Sequence, residues 1–397
     1  MLKTRLSRSA LSRSVVTMHI VCLTALALLF LAMARPALAS ATYTITDLGA
    51  NTFPYAINDS ATVVGYVTYP AARNSASYNR AFVRINGIHN EIGTLGGKSS
   101  EARAVNNSNQ VVGHSLNAAG NRRAFLWDST GMKDLNGVKG PNGQSATTLG
   151  WTLSAAYGIN SSGQVVGYGS HPLQDATTNN TFLWQRDANG NVSVTAVNLR
   201  IAQFETRGIN DNGLVAGAVE YRTANDDGTQ TSSVQASVWN QGVITELGFL
   251  SPDSQIVVMS HAYDINNSSQ VVGFSTVSSG YFKAFFCSPG GVMQDLGTLG
   301  DPSRVGLESN AYNINDVGQV VGWADRNSSY DNDPQYRRAY VWNSSAGMMD
   351  LNMLTNVGTS WYLHQARDIN SSGRIVGIGS VKLKRGAQDR GFLLTPQ

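Results

Sequence analysis

Residues 264–273 read Asp-Ile-Asn-Asn-Ser-Ser-Gln-Val-Val-Gly, and six further segments of the chain follow the same ten-residue pattern. Those segments begin at Ala56, Ala104, Gly158, Gly208, Asn313 and Asp368. Successive copies are 48 to 56 residues apart, and in each copy Gly comes seven residues after Asn. An apolar run, a polar turn and a second apolar run are typical of a β-hairpin. The repeat therefore predicts seven hairpins of one design.

A second segment, rich in aromatic and β-branched residues, follows each hairpin. Its copies begin at Ala81, Ala124, Thr181, Ala236, Ala284, Ala339 and Gly391. Such residues favour strands. In six copies a short turn then leads to a fourth strand, as at Asp295-Leu296. Each unit therefore predicts four short antiparallel strands. A four-stranded unit of this length corresponds to one β-propeller blade.

The two ends of the chain predict that the repeats close into a ring. The seventh unit stops at Gly391–Leu394 without a fourth strand, and Tyr43–Gly49 carries that missing piece ahead of the first hairpin. An open solenoid gains nothing from such a split, whereas pairing the two ends of a ring removes two exposed strand edges. The prediction is an all-β, seven-bladed β-propeller of four-stranded antiparallel blades over residues 40–397, closed by the N-terminal strand and the C-terminal hairpin.

Residues 1–39 have the order of a secretory signal peptide. A basic start, the apolar run Ile20–Ala34 and the small residues Ala37-Leu38-Ala39 predict cleavage after Ala39. A membrane anchor, the alternative, normally needs about 20 apolar residues. We therefore expect a secreted or periplasmic protein without stable membrane insertion after cleavage.

Removal of that segment changes the charge of the protein. Residues 1–39 contain five basic residues and no acidic one, so the formal charge is +3 for the full chain and −2 after cleavage. The basic isoelectric point then gives no support for nucleic-acid binding. Cys287 is the one cysteine left, so we expect no intrachain disulfide, and we interpret Cys287 as an inert core residue.

The units resemble the repeats of the extracellular HAF family, which is named for a His-Ala-Phe start to the aromatic strand. The resemblance covers residues 40–397 and implies export and a repeat fold, with no defined activity. The sequence departs from the family at the name-giving histidine, where Arg80, Arg123, Asn180, Gln235, Lys283, Arg338 and Arg390 stand instead. No role that depends on a histidine there is carried over.

Loop lengths distinguish the two faces of the predicted ring. The turn between strands one and two never varies in length, whereas the connections from strand two to three and from strand four to the next blade vary widely. In an antiparallel blade the two variable connections emerge on the same side. Binding residues usually lie on variable loops held by a rigid scaffold. We therefore expect the working surface on that side, here called the variable face; the opposite side is the tight face.

One repeat position predicts a ring of ligand-binding candidates near the channel mouth. Three residues before each repeat Asn stand Tyr55, Arg103, Tyr157, Arg207, Tyr263, Tyr312 and Arg367. Tyr and Arg have flat faces and hydrogen-bonding edges that suit sugars or anionic groups. The alternative is that these side chains only pack between blades.

The basic residues at the name-giving position form a second candidate set. Arg80, Arg123, Lys283, Arg338 and Arg390 would form an outer cationic ring, or a solvated strand edge that deters pairing with other chains.

The sequence has no pattern that is typical of a calcium loop, a histidine metal site or a catalytic motif. Asp59, Asp211 and Asp316 are the only carboxylates at the repeat turn, too few for typical calcium loops. The histidines share no repeat position and have no metal-ligand spacing. We expect no metal site, no cofactor and no motif-based catalytic residue.

Three functions remain open. The first is a binding module for a carbohydrate, a surface polymer or a protein, acting as a monomer. The second is a polysaccharide lyase or hydrolase at the channel mouth, which a tight cluster of carboxylate, His and Arg on the variable face would favour. The third is a passive structural surface protein.

Overall fold

The structure is a computed structural model that describes residues 42–71, 76–172, 180–197, 208–224, 230–251, 259–327, 336–355, 360–384 and 386–397, without the side chains of residues 180, 222–224 and 230–232. Thr42–Gln397 form one compact unit. The predicted signal peptide lies outside the described residues. Within them, no helix has the length and apolar character needed to cross a membrane.

The described chain forms seven antiparallel sheets arranged as successive blades. β1 (Tyr43–Ala50) precedes blade 1, which contains β2 (Thr52–Ile57), β3 (Val63–Tyr69), β4 (Tyr78–Ile85) and β5 (Ile88–Glu91). Blade 2 contains β6 (Gly96–Val105), β7 (Val111–Asn117), β8 (Arg122–Asp128) and β9 (Gly131–Asp134). Blade 3 contains β10 (Thr152–Ile159), β11 (Val165–Ser170), β12 (Asn180–Arg186) and β13 (Val192–Val197).

Blade 4 has three strands in the part of the chain that the structure describes. They are β14 (Val215–Ala224), β15 (Gln230–Asn240) and β16 (Val243–Gly248). At the place of its first strand, Ile209 forms an isolated bridge with Val215.

The remaining blades complete the ring. Blade 5 contains β17 (Ser260–Ile265), β18 (Val271–Thr276), β19 (Phe282–Cys287) and β20 (Gln294–Asp295). Blade 6 contains β21 (Ser309–Ile314), β22 (Val320–Asp325), β23 (Arg337–Asn343) and β24 (Gly347–Asp350), and the short helix α1 (Leu351–Leu354) follows it. Blade 7 contains β25 (Trp361–Ile369), β26 (Ile375–Leu383) and β27 (Gly386–Pro396).

The first strand of the described chain closes the ring. β1 pairs antiparallel with β27, from Tyr43 opposite Pro396 to Ala50 opposite Arg390, and so becomes the fourth strand of blade 7. The predicted seven-bladed propeller and its closure are confirmed.

The core lies between neighbouring blades. The aromatic residue near the centre of the third strand is fully buried in six blades, as Phe82, Phe125, Phe182, Phe285, Tyr340 and Phe392. Burial of each such ring stabilises the fold by about 1.5–3 kcal/mol. Cys287 belongs to one of these interblade clusters, and burial raises the pKa of its thiol, as an inert core residue requires.

The repeat Asn stabilises its own turn and also links its blade to the next one. In all seven turns its side-chain Oδ1 accepts a hydrogen bond from the backbone N–H four residues later, at 2.9–3.0 Å. Its Nδ2 donates to the backbone carbonyl of the corresponding Asn in the next blade, at 3.0 Å in every case. The seven interblade bonds form a continuous belt around the tight face, here called the Asn belt.

The fourth strand ends in Asp-Leu-Gly, as at Asp295, or in Asp-Leu-Asn, as at Asp134. The hydrogen bonds to the next blade explain both forms. Where Gly follows Leu in blades 4 and 5, a buried Ser of the next blade bridges the two: Ser309, for example, accepts from the N–H of Ala284 and donates to the carbonyl of Gly297. Where Asn follows Leu, the Asn makes the bridge itself: Asn136 bonds to both the N–H and the carbonyl of Leu153. Each form satisfies buried backbone groups between blades.

Candidate functional site

The Tyr/Arg position coincides with a β-bulge in six blades. The pairing register of the first strand skips one residue there, and the skipped residues are Tyr55, Arg103, Tyr157, Tyr263, Tyr312 and Arg367. A bulge leaves its extra residue outside the ladder and re-aims that side chain. Arg207, the seventh candidate, lies outside the described residues.

The invariant Gly of the repeat belongs to the same bulge. A Cβ on Gly273 would lie 1.9 Å from the backbone oxygen of His261, and on Gly322 it would lie 1.9 Å from that of Asn310. The corresponding distances at Gly65, Gly113, Gly167 and Gly377 are 2.0–2.1 Å. No side chain fits at that distance, so the Gly is required where the bulged strand approaches its partner.

The re-aimed side chains contact one another from blade to blade. The guanidinium of Arg103 lies 4.2 Å from the ring centre of Tyr55 and 5.8 Å from that of Tyr157. That of Arg367 lies 5.2 Å from Tyr55 and 4.8 Å from Tyr312. The rings of Tyr263 and Tyr312 are 5.6 Å apart. The structure therefore brings six candidates together by cation–π and aromatic contacts; they are called the Tyr/Arg ring below.

Aromatic residues of the second strands support the Tyr/Arg ring. Tyr66 stacks on Tyr55 at 5.7 Å, and Tyr168 stacks on Tyr157 at 5.8 Å. The indole N–H of Trp323 donates to the hydroxyl of Tyr312 at 3.0 Å. This support fixes the orientation of the ring side chains.

Exposure differs around the Tyr/Arg ring. Tyr55, Arg103, Tyr157 and Tyr263 are between 4% and 8% exposed, whereas Tyr312 and Arg367 are only partly buried. The most accessible sector of the ring therefore lies where blades 6 and 7 meet.

A charged cluster adjoins the ring in blade 2. Arg103 donates to Glu101 at 2.6 Å, and Arg122 lies 3.0 Å from Nδ1 of His114. Because a guanidinium only donates, Nδ1 of His114 is the acceptor and its Nε2, which is 3.6 Å from Glu101, carries the proton. Burial, together with Arg122 and Arg103, holds the pKa of His114 well below its usual value. The imidazole is therefore neutral, and its Nδ1 is engaged by Arg122.

A second charged group lies in blade 6. The guanidinium of Arg337 covers the ring of Trp323 at 3.5 Å, and its Nε is 3.9 Å from the carboxylate of Asp325. Burial raises the pKa of Asp325 to about 6, although the N–H of Glu308 and the charge of Arg337 act in the opposite direction. Sequence reasoning missed this carboxylate because the equivalent position carries a carboxylate in only one other repeat, as Glu220 of blade 4.

The basic residues of the third strands occur in separate local contacts. Arg80 donates to the carbonyl of Lys98 at 2.7 Å, and Lys283 donates to that of Leu307 at 2.8 Å. Arg338 pairs with Asp350, Arg390 pairs with Asp47, and Arg123 donates to the carbonyl of Arg122. The structure spreads these five cations over five blades.

The tight face has its own cavity, inside the Asn belt. It has a volume of about 210 Å³, and the carboxylates at its wall are Asp59, Asp211, Asp264, Asp316 and Asp368. Those of the turns accept backbone bonds from the neighbouring blade, as Asp316 does from Asn267 at 2.9 Å. Within the described residues no set of three or more His, Cys, Asp or Glu side chains has the arrangement of a metal site.

Comparison with known proteins gives a family and a fold. The model of the family "Protein of unknown function (DUF3466)" matches residues 178–394. No curated protein matches the sequence.

The solved structures that resemble the chain include two from Pyrococcus species. The β-propeller domain of the Trilobed protease from Pyrococcus furiosus is 12% identical, with a TM-score of 0.51 over 89% of this chain and 97% of that one. The acylaminoacyl peptidase of Pyrococcus horikoshii is 10% identical, with a TM-score of 0.50 over 86% and 52%. At these identities the likeness shows the propeller fold alone.

Proposed function

The chain belongs to the DUF3466 family of proteins of unknown function, and we propose from its own residues that it is an exported recognition module that binds a glycan or another exposed polymer at the Tyr/Arg ring. The predicted signal peptide supports export. The propeller supplies a rigid scaffold that holds the ring side chains.

The repeated bulge carries the proposal. Packing between blades needs no bulge, because residues of a regular strand already alternate between the two faces of the blade. Six described blades nonetheless insert one residue at the same place, and in each the residue is Tyr or Arg. Bulges that re-aim side chains are over-represented next to functional sites.

The chemistry of the ring suits a sugar polymer. Tyrosine rings pack against the apolar face of a sugar, while phenol and guanidinium groups bond to hydroxyl or anionic groups. In the most accessible sector, blades 6 and 7 place one residue of each type side by side, Tyr312 and Arg367, so a sugar unit bound there would meet both groups.

An enzyme is the second candidate, and the blade 2 cluster favours it. Glu101, Arg103 and His114 bring carboxylate, guanidinium and imidazole together beside the ring. A lyase needs a base with a free lone pair, however, and Nδ1 of His114 already accepts from Arg122. The binding module therefore ranks first.

Binding of purified residues 40–397 to an array of glycans and cell-wall polymers tests the proposal. The comparison variant carries Tyr157→Ala, Tyr263→Ala and Tyr312→Ala, and its thermal unfolding shows whether it remains folded. A matched control carries Tyr221→Ala, because Tyr221 is 42% exposed on β14 and its hydroxyl contacts Glu246. We expect wild type and control to bind and the folded triple variant to fail.

Each contrary result has a definite meaning. If the triple variant binds as wild type does, the ring serves only as packing. If no polymer binds the wild type, a passive structural role replaces recognition. Appearance of unsaturated or shortened sugar products during incubation would favour the enzyme.

A further inference from the structure

A separate pocket lies on blade 7, at the end of its strands that faces the variable connections. Its volume is about 440 Å³, within the usual range for small-molecule sites, and its lining includes Trp361, Tyr362, Ser380, Lys382 and Lys384. Backbone pairing fixes its walls, since Trp361 stands opposite Val381 and Lys382 opposite Ala387. Most of the lining thus belongs to the paired strands of blade 7, whereas Lys384 lies in the turn after β26.

The pocket is positively charged. Lys382 and Lys384 are exposed, and no carboxylate of the described residues forms an ion pair with either. Asp389, on the neighbouring strand, stands opposite Ser380 in the ladder. The guanidinium of Arg338 covers the ring of Tyr362 at 4.9 Å, although its charge is shared with Asp350.

Side-chain contacts link the lining of the pocket to the most accessible sector of the Tyr/Arg ring. The hydroxyl of Tyr362 donates to the carbonyl of Arg337 at 3.0 Å. The guanidinium of Arg337 covers Trp323, whose N–H donates to the hydroxyl of Tyr312. A chain of direct contacts therefore runs from the pocket to the partly buried Tyr312 and Arg367.

We propose that the blade 7 pocket is a subsite for an acidic sugar unit of the polymer bound at the Tyr/Arg ring. This inference rests on the proposed function and names its ligand class, a polysaccharide that carries carboxylate or sulfate groups. Trp361, which is partly exposed, supplies aromatic surface for the sugar ring, whereas Tyr362 and Ser380 are buried in the lining. Lys382 and Lys384 supply point charges for the anionic group.

Calorimetric titration of residues 40–397 with defined oligosaccharides tests the subsite. The probes are uronic-acid oligomers, sulfated oligomers and uncharged oligomers of equal length. The test variant carries Lys382→Ala and Lys384→Ala. The matched control carries Lys98→Ala and Lys139→Ala, which removes two exposed lysines from blade 2 and its connection to blade 3.

We expect the test variant to bind anionic oligomers about tenfold or more weakly, because both charge-assisted contacts to the anionic group are lost. The control variant and the affinity for uncharged oligomers should be unchanged. The relative affinities of the carboxylated and sulfated probes identify the anionic group. In Trp361→Phe, the fluorescence change on binding should be reduced.

The outcomes separate this inference from the proposed function. Equal affinity of wild type and lysine variant for anionic oligomers, with loss of binding in the triple tyrosine variant, would overturn the subsite and retain the ring. Equal affinity of the wild type for charged and uncharged oligomers would also overturn the subsite. Failure of every oligomer and of every polymer on the array to bind the wild type would overturn both.

Discussion

The side-chain amide of Asn370 donates a hydrogen bond of 3.0 Å to the backbone carbonyl of Asn58, which is 312 positions earlier in the chain. This bond joins the last repeat to the first and completes the Asn belt. Pairing of β1 with β27 makes the same junction in the outer part of the ring. The propeller is thus closed by two unrelated sets of bonds, one of side chains and one of backbone.

Substitution at Asn370 should separate the two roles of the belt residue. In Asn370→Asp an oxygen still accepts from Arg374, but the donor to Asn58 is lost. We expect a loss of about 1–3 kcal/mol in the free energy of unfolding for Asn370→Asp, and a greater loss for Asn370→Ala, which also leaves turn donors unsatisfied. Urea denaturation measures both, with Ser371→Ala as the exposed control. Equal stability of Asn370→Asp and wild type would mean that the interblade bond contributes nothing.

The glycine opposite each bulge should not tolerate a methyl group. In Gly273→Ala the new Cβ would lie 1.9 Å from the backbone oxygen of His261, so the bulge must be displaced. We expect insoluble protein or a loss of about 3 kcal/mol or more. At Gly280 nothing lies within 4 Å of a Cβ, and only its positive φ opposes substitution, so Gly280→Ala should cost about 1 kcal/mol. A folded Gly273→Ala protein as stable as Gly280→Ala would contradict the assigned geometry.

The closing strand offers a matched pair of neighbouring substitutions. Tyr43 is 4% exposed in the cluster between blades 6 and 7, whereas Thr44 is exposed. Tyr43→Ala should lower the free energy of unfolding by about 3 kcal/mol, because it leaves a cavity in that cluster. Thr44→Ala should leave it nearly unchanged. Similar values for the two variants, measured in urea, would mean that the strand does not anchor the ring.

Protonation of Asp325 should stabilise the folded protein at low pH. Its pKa is raised from 3.8 in the unfolded chain to about 6 in the fold, so the folded state prefers the protonated carboxyl. The contribution is complete below pH 4 and is lost as the pH rises through about 6. Asp325→Asn keeps an acceptor for the N–H of Glu308 and removes the charge. We expect this variant to exceed wild type by about 2 kcal/mol at pH 7.5.

The comparison with low pH supplies the control for that prediction. Near pH 4 the wild-type carboxyl is protonated in the fold, so the difference between the two proteins should nearly disappear. Urea denaturation at several pH values between 4 and 7.5 measures it. A difference that is constant with pH would show that Asp325 is not a titrating buried group.

Much of the fold was predictable because it is repeated. The hairpins from Ala56 onward and the split fourth strand at Tyr43–Gly49 indicated seven blades and their closure, since period and pairing are visible along one chain. The Asn belt was not predicted: a turn explains Asn58 locally, and its interblade acceptor is a residue 48 positions away. That bond depends on how blades are placed beside each other.

The candidate site was predictable in composition but not in geometry. The spacing of Tyr55 and its counterparts marked the position, and the structure brings six of the seven together. The bulge was missed because register is set by cross-strand pairing, although the invariant Gly273 could have signalled a close backbone approach. The blade 7 pocket was missed because Lys382 and Lys384 occur in one repeat only.

Recognition at the Tyr/Arg ring is tested most directly with a polymer that binds the wild type on the array. Its affinity for the wild type is compared with its affinity for two conservative variants. One variant carries Tyr157→Phe, Tyr263→Phe and Tyr312→Phe, which preserves packing and removes three hydroxyls. The other carries Asp59→Asn, Asp211→Asn and Asp316→Asn on the tight face. The account predicts affinity about tenfold weaker for the tyrosine variant and unchanged affinity for the aspartate variant. Unchanged affinity in the tyrosine variant, with loss in the aspartate variant, would place binding on the tight face and contradict it.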